Sequence, residues 1–426
     1  MNEYIVKIER DGRMVFVGRI SGDDSGSARF SYDPAYLDSE NPRPVSIGLP
    51  LQKAAFTAAE TETFFDGLLP EGFTRKTIAS RLHLDERDYL SILAKLGREC
   101  LGAVQIEAPG DGTVASYEKI DMAQLKALAQ EGVSKSAEIV MNTHLSLTGA
   151  SGKVGLYYDP ASRAWYLPKG TAPSTHIVKQ SHVRLNRIVL NEQLCLMTAQ
   201  KCGITVPESF IIDTGGGSEE EILFATKRYD RAVSEKGRIV DGLRCPLRLH
   251  QEDFAQAMGI PASEKYETGH DNYLKRMFDL LRNNSADPIR DQLKLWEIIV
   301  FNYLIGNTDA HVKNFSLLYD PTLRSVHLAP SYDIVSTAVY ESSTRNMAFR
   351  IGGDLLLDDI RRDSFRRAAA EAGIGERMAM KYFDEMADRF LPALHESAAA
   401  LGDLGFKDAG LLEQKILQSG GIAACS

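Results

Sequence analysis

Cysteine is scarce in this chain: five in 426 residues, at positions 100, 195, 202, 245 and 425, an odd count with no CxxC spacing. That scatter excludes a disulfide framework and a cysteine zinc site, and reads as reduced, mostly buried thiols. Long apolar runs are missing as well. None reaches the ~18 residues of a membrane span, so no membrane association is expected. The opening Met1-Asn2-Glu3-Tyr4-Ile5-Val6-Lys7 reads directly as a strand and lacks the basic start and apolar core of a signal peptide. There is no basic excess. A net charge of −9 argues against a surface that is a nucleic-acid footprint throughout and leaves room only for a local basic patch. Internal repeats, long low-complexity segments and a Walker A loop are also absent. What is there, 44% hydrophobic and 25% charged residues, describes a globular chain expected in the cytoplasm and long enough for two or three domains.

The periodicities predict an α+β chain. Residues 1–50 alternate as strands do: Tyr4–Ile8, a hairpin signal at Asp11-Gly12, a return over Met14–Ile20, then Phe30–Tyr32 and Val45–Leu49. Residues 60–110 turn helical (Thr61–Leu69, Phe73–Leu82, Asp88–Leu96) and close on a strand at Leu101–Ile106. Pro109-Gly110-Asp111-Gly112 then marks a boundary. A short helix is predicted over 119–136, followed by strands at Val154–Tyr158, Ala164–Leu167 and Thr175–Lys179. A helix over Arg187–Cys202 and strands at Ser209–Ile212 and Ile222–Tyr229 complete this part. That order of strands, glycine turn and helix is the order of a kinase-like N-terminal lobe. From about residue 250 the pattern is helical: Gln251–Met258, Asn272–Leu281, Asp291–Ile305, Ile360–Ala372, Met378–Phe390 and Leu391–Leu401. The expected divisions are an α+β subdomain over 1–110, a β-rich nucleotide-binding part over 111–232 and a helical catalytic lobe over 233–426.

One stretch concentrates the chemistry: Gly306-Asn307-Thr308-Asp309-Ala310-His311-Val312-Lys313-Asn314-Phe315, followed by Leu328-Ala329-Pro330-Ser331-Tyr332-Asp333. Phosphoryl transfer needs an acid near the acceptor hydroxyl and hard oxygen ligands for Mg²⁺. Asp309, Asn314 and Asp333 supply that set, and D-x₄-N is the spacing of the protein-kinase catalytic loop. On spacing alone an Asx-rich turn capping a helix explains D-x₄-N more often. The apolar Leu295–Ile305, the strand-like Phe315–Tyr319 and the second acid favour the chemical reading. Phosphates also need a cradle. Gly149-Ala150-Ser151-Gly152-Lys153 has two glycines that admit close backbone approach and a lysine that adds charge, although by itself it reads as a hairpin turn. Lys179 ends a strand and Glu192 follows 13 residues later at a helix start, the order of the kinase lysine–glutamate pair. Lys227 and Tyr229 stand where a chain leaves one lobe for the other, with the backbone near Thr226–Arg228 placed for an adenine edge. His250-Gln251-Glu252-Asp253 reads equally as a helix cap or a nucleotide contact. His311 is read as holding the loop beside the nucleotide, and Lys313 as facing phosphate, substrate or solvent.

Taken together, these residues resemble the HipA family, the kinase toxins of HipBA toxin–antitoxin modules. Besides the two segments around Asp309 and Asp333, Leu68-Leu69-Pro70-Glu71, Leu96–Val104, Ser146-Leu147-Thr148-Gly149-Ala150, Thr175–Lys179, Asn191-Glu192, Lys227-Arg228-Tyr229-Asp230-Arg231, Gln251-Glu252-Asp253 and Lys265-Tyr266-Glu267 carry the likeness over nearly the whole chain. The resemblance implies a bilobed fold of the protein-kinase type, related to phosphoinositide 3/4-kinases, and an ATP- and Mg²⁺-dependent serine/threonine protein kinase. It maps Asp309 onto the catalytic acid, Asn314 and Asp333 onto the metal ligands, and Lys179 onto the phosphate-pairing lysine. Ser146 falls on the autophosphorylated serine, with Thr148 as a second hydroxyl. It further implies an aminoacyl-tRNA synthetase as target, growth arrest and persistence as outcome, and a HipB-like DNA-binding antitoxin that brings the chain to operator DNA. Two positions depart from the family pattern: the loop here has Ser151-Gly152 where a Gln is usual, and Lys227 stands where Glu often precedes the hinge. A catalytically weak corepressor and a small-molecule phosphotransferase remain as other readings of the same residues.

Overall fold

The opening hairpin forms where the pattern places it. Strand β1 (Asn2–Arg10) returns as β2 (Arg13–Gly22) through Asp11 and Gly12, both at positive φ (47° and 77°). A two-residue hairpin turn requires that geometry so that its twist matches the strands. A computed structural model describes residues 2–108, 114–143, 152–181, 185–216, 218–269 and 271–424. By contacts the chain divides into two compact units, one of Met1–His182, Ile212–Ala262 and Leu318–Ser325, the other of Val183–Ile211, Ser263–Leu317 and Val326–Ser426.

In the first unit, β3 (Arg29–Tyr32) and β4 (Val104–Glu107) complete a four-stranded sheet in the order β3-β2-β1-β4. Its buried face carries Val6, Ile8, Val17, Ile20 and Phe30. Phe30 meets Phe65 of the helix Ala58–Asp66 at 5.4 Å between ring centroids. That helix starts where it does because Thr57 and Glu60 form a reciprocal capping box. The strand expected over Val45–Leu49 does not form; the segment is a turn with a single bridge, Ser46 to Leu49. Its backbone groups are satisfied by side chains instead. The Tyr32 hydroxyl accepts from Val45 N–H (2.9 Å) and donates to the Leu49 carbonyl (2.6 Å), His250 Nε2 bonds the Val45 carbonyl (2.8 Å), and Ile47 N–H donates to Glu252 (3.1 Å).

The second sheet of this unit holds β5 (Ser116–Ile120), β6 (Lys153–Asp159), β7 (Ala164–Lys169), β8 (His176–Gln180), β9 (Ser209–Asp213) and β10 (Ile222–Lys227), in the order β5-β7-β6-β8-β10-β9. The helix predicted over 119–136 begins too early. Residues 116–120 are captured as a strand by Trp165–Lys169, and the helix runs over Met122–Thr143. Asp121 starts it by exchanging hydrogen bonds with Gln124 (2.8 and 2.9 Å). Gln251–Asp253, expected to open a helix, is a short strand, and Asp253 then caps the helix Phe254–Met258 with Gln256.

The second unit is mainly helical: Ile188–Lys201, Tyr273–Asn284, Pro288–Ile305, Arg362–Ala372, Glu376–Asp403 and Ala409–Ser419. Trp296, fully buried, donates from its indole to the Ala379 carbonyl (2.9 Å) and ties two of these helices together. The two helices predicted over 378–401 are one helix of 28 residues that carries Pro392 inside it. Phe383, Met386, Phe390, Leu394 and Leu401 form one buried stripe across the proline. That packing outweighs the hydrogen bond the proline removes. The helix Ala409–Ser419 and the strands Asn346–Ile351 and Asp354–Leu356 have no counterpart in the sequence reading. Cys100, Cys195, Cys202 and Cys245 are buried free thiols. Among the described residues no helix is long and apolar enough to cross a membrane.

Candidate active site

The loop that bears Asp309 is set by the helix before it. Pro288–Ile305 begins on an Asp287 cap with proline at its first position and ends on Gly306, whose φ of 74° terminates the helix in the left-handed region. The loop then folds on itself. Asn307 accepts from the Asp309 N–H (3.2 Å) and donates to Asn302 (2.9 Å). The Thr308 N–H donates to the Thr337 hydroxyl (2.8 Å), and the Thr308 hydroxyl donates to the Thr344 carbonyl (3.0 Å). The Asp309 carbonyl accepts from His311 N–H (2.8 Å) and from Asn314 Nδ2 (2.9 Å). Asn307, Thr308, Ala310, His311 and Lys313 are buried, whereas Asp309 is exposed. The Asn314 side chain, half-buried, is held to the loop through its amide nitrogen. Lys313 is buried rather than solvent-facing, and its carbonyl accepts from the Tyr332 hydroxyl (3.0 Å).

Asp333 has φ 56°, a left-handed conformation that a non-glycine residue keeps only where its surroundings enforce it. Here the enforcement is visible on both sides. Ser331 N–H donates to the Thr205 carbonyl (2.8 Å), and Asn191 reads the backbone of Ser336 twice, accepting from its N–H and donating to its carbonyl, each at 3.0 Å. Tyr266 is a further partner of the loop, because its hydroxyl donates to Asp309 Oδ1. In the sequence Asn191 and Tyr266 stand out only as part of the family likeness. Nothing in local spacing signals that residues 145 and 43 positions away meet these segments.

In the first unit, Lys153 of β6 and Lys179 of β8 are register partners, directly opposite one another across the antiparallel pair. Directly opposite residues project from the same face, and like charges so placed repel. Both lysines are buried, and Lys179 Nζ lies 5.6 Å from the ring centroid of Phe224, its own partner on β10. Lys227 is exposed at the end of β10, and the Tyr229 hydroxyl donates to Gln251. Gly152 precedes β6. Ser146, Thr148, Gly149, Ala150 and Ser151 lie outside the described residues.

The rest of the Lys227–Arg231 motif is structural. Arg228, Asp230 and Arg231 join Glu99, Arg248 and Glu9 in a buried lattice of three arginines and three acids. Burial would raise the Glu99 carboxyl, but Arg231, Arg248 and Arg228 hold it down at about 2. Asp230 is likewise raised by burial yet held at about 2 by Arg228 and Arg231. His176, beside Lys179's strand end, is pushed down to about 4 by burial and by Lys227, so it is neutral at physiological pH. Among the described residues no group of three or more His, Cys, Asp and Glu side chains is arranged to hold a metal ion. Asn314 and Asp333, the expected ligands, carry hard oxygens, the donor type that Mg²⁺ takes together with waters and phosphate oxygens.

The architecture is an α+β fold of the protein-kinase-like type. Residues 13–107 match the family description "HipA N-terminal domain" and residues 145–394 "HipA-like C-terminal domain"; the chain belongs to the HipA family. It is 32% identical to "Putative kinase Y4mE" of Sinorhizobium fredii over 95% of this chain and 94% of that one. It is 26% identical to the serine/threonine-protein kinase toxin HipA of Shewanella oneidensis over 78% and 75% of the two chains. The solved complex of Shewanella oneidensis HipA, HipB and operator DNA superimposes with a TM-score of 0.79 at 23% identity, covering 99% of this chain and 96% of that one.

Proposed function

We propose that this chain is an ATP- and Mg²⁺-dependent serine/threonine protein kinase, the toxin of a HipBA-type module. The observation that carries the reading is Asp309, an exposed acid whose backbone is fixed by a loop of buried residues. A carboxylate so presented is placed to orient an acceptor hydroxyl and take its proton. Lys153 and Lys179 bind phosphate oxygens, with Gly149, Ala150, Ser151 and Gly152 as the backbone cradle. Lys227, Tyr229, His311 and Lys313 complete the nucleotide side. Asn314 and Asp333 hold the metal, which neutralises phosphate charge when bound.

Ser146, with Thr148 second, is the autophosphorylation site of this reading. A phosphate adds roughly −1.5 to −2 charges there and draws the loop away from its ATP-binding form. A HipB-like antitoxin is the partner, by likeness to the Shewanella assembly, and operator DNA is reached through it. The protein substrate belongs to translation, an aminoacyl-tRNA synthetase by family resemblance, and the site of action is the cytoplasm. Incubation of the purified chain with γ-labelled ATP and Mg²⁺ tests the core of this. Label is expected on the chain itself or on a lysate protein, and Asp309→Ala is expected to lower it by on the order of a thousandfold or more. Equal labelling by both proteins, or none by either, overturns the reading.

A further inference from the structure

We propose that Tyr266 is a positioning residue for Asp309: its hydroxyl holds one carboxylate oxygen so that the other faces the acceptor. The proposal rests on the reading of Asp309 as the acid that takes the acceptor's proton. The loop fixes the backbone of Asp309 at both its N–H and its carbonyl. It leaves the terminal torsion of the side chain to be set by something else, and for an Asp carboxylate that torsion is broad and roughly two-fold. Tyr266 donates to Oδ1 and sets it.

Tyr266 is itself built for the task. The residue is 41% exposed, yet its segment is pinned on both sides. The Tyr273 hydroxyl donates to the Glu264 carbonyl (2.7 Å), Glu267 N–H donates to the Ala348 carbonyl (2.8 Å), and the Glu267 carboxylate accepts from Arg350 N–H (2.6 Å). The buried His311 ring meets the phenol edge-on, with centroids 5.2 Å apart and planes at 85°. Lys265 Nζ lies 5.5 Å from the ring centroid. Asp309 and the ring that orders it are thus tied together through His311, two residues along the same loop. This gives His311 a concrete purpose: it steadies the tyrosine as well as the turn. The bonds on either side hold the backbone of the segment, and the edge contact with His311 bears on the ring itself.

The test compares wild type, Tyr266→Phe, Tyr266→His and Asp309→Asn as full chains, with label transfer from γ-labelled ATP to dephosphorylated casein and to the chain itself. Removing the donor while keeping the ring is expected to lower turnover by on the order of ten- to a hundredfold. The KM for ATP and the melting temperature should stay unchanged. Tyr266→His, which restores a donor, is expected to recover part of the loss. Tyr266→Phe at wild-type turnover overturns the proposal, and a faster Tyr266→Phe overturns it in favour of a plug. A loss matched by a lower melting temperature and not recovered by histidine reduces Tyr266 to a packing residue. If wild type and Asp309→Asn transfer no label at all, the kinase reading fails and the proposal falls with it; if they differ while Tyr266→Phe does not, only the proposal fails.

Discussion

At the scale of single residues, Glu252 couples stability to pH near neutrality. Burial pushes its carboxyl up to about 7, against the lowering effect of donors from Ser46, Tyr319 and Ile47 N–H. Among the groups around it, Asp253 opposes the charge, and His250, itself pushed down to about 4 by burial, is neutral. A carboxyl raised above its ordinary value binds its proton more tightly folded than unfolded. Its stabilisation is therefore complete below pH 4.5 and is lost as pH rises through 7, by at most about 3 kcal/mol. Glu252→Gln keeps the uncharged shape at every pH. We expect its melting temperature to match wild type near pH 5 and to exceed it increasingly up to pH 8. Parallel melting curves for the two proteins across that range would refute the assignment. None of this was legible in the sequence, where Glu252 was one acid of a helix-start pattern; the turn at Val45–Leu49 that buries it comes from some 200 residues away. Asp309 and Asp333 stood out as candidates, because loop acids beside apolar segments are conspicuous locally, whereas the tie of Tyr266 to Asp309 spans 43 residues and left no local signal.

At the scale of elements, the readable parts were those with a local cause. The β1–β2 hairpin follows from Asp11-Gly12, and Pro288–Ile305 from its proline start and glycine stop. The misread parts had distant causes. Pro392 looked like a helix boundary, but a core stripe carries the helix through it, and residues 116–120 looked like helix until β7 paired with them. Gly306 shows how closely an element end is coupled to the candidate site. At φ 74° a side chain is strained, and an added Cβ would stand 2.9 Å from the Ala338 Cβ and 3.0 Å from the Gly420 Cα. The Gly306 carbonyl also accepts from Ala338 N–H (2.9 Å), so the neighbour cannot retreat without breaking that bond. Gly306→Ala is therefore expected to cost about 1–3 kcal/mol in urea unfolding. It should also depress phosphotransfer beyond what the lost folded fraction explains, since Asp309 lies three residues on. An unchanged urea midpoint would show that the helix end yields at no cost.

At the scale of the whole molecule, the buried charge lattice makes the N-terminal sheet inseparable from the lysine-bearing one. Glu9 lies on β1 and Glu99 just before β4, while Arg228, Asp230, Arg231 and Arg248 come from the chain after β10. The bonds between the two groups span 129 to 239 residues of sequence. Arg231 and Arg228 also donate to the Cys100 carbonyl, and Gly102 N–H donates to Asp230 (2.7 Å). Three positive and three negative charges balance while all six are in place. Removal of one acid leaves an uncompensated cation in a water-excluded site, which costs about 3–5 kcal/mol. Glu99 is the centre, touching all three arginines. Glu99→Ala is expected to destabilise the chain by that amount in denaturant unfolding, whereas Lys7→Ala, which breaks the half-exposed pair with Glu107, should cost no more than about 1 kcal/mol. The acids also fix the sign of the acid limb. Glu99 and Asp230, both held at about 2, stabilise above their ordinary values near 4, and that contribution drains away as pH falls towards 2. A chain starting at residue 114 loses Glu9, Glu99 and the Cys100 carbonyl together, leaving Arg228, Arg231 and Arg248 with Asp230 alone of the lattice acids. Such a fragment should be insoluble or unfolded by circular dichroism. If it folds and melts cooperatively at the full chain's temperature, the two sheets are independent and the lattice is not what joins them.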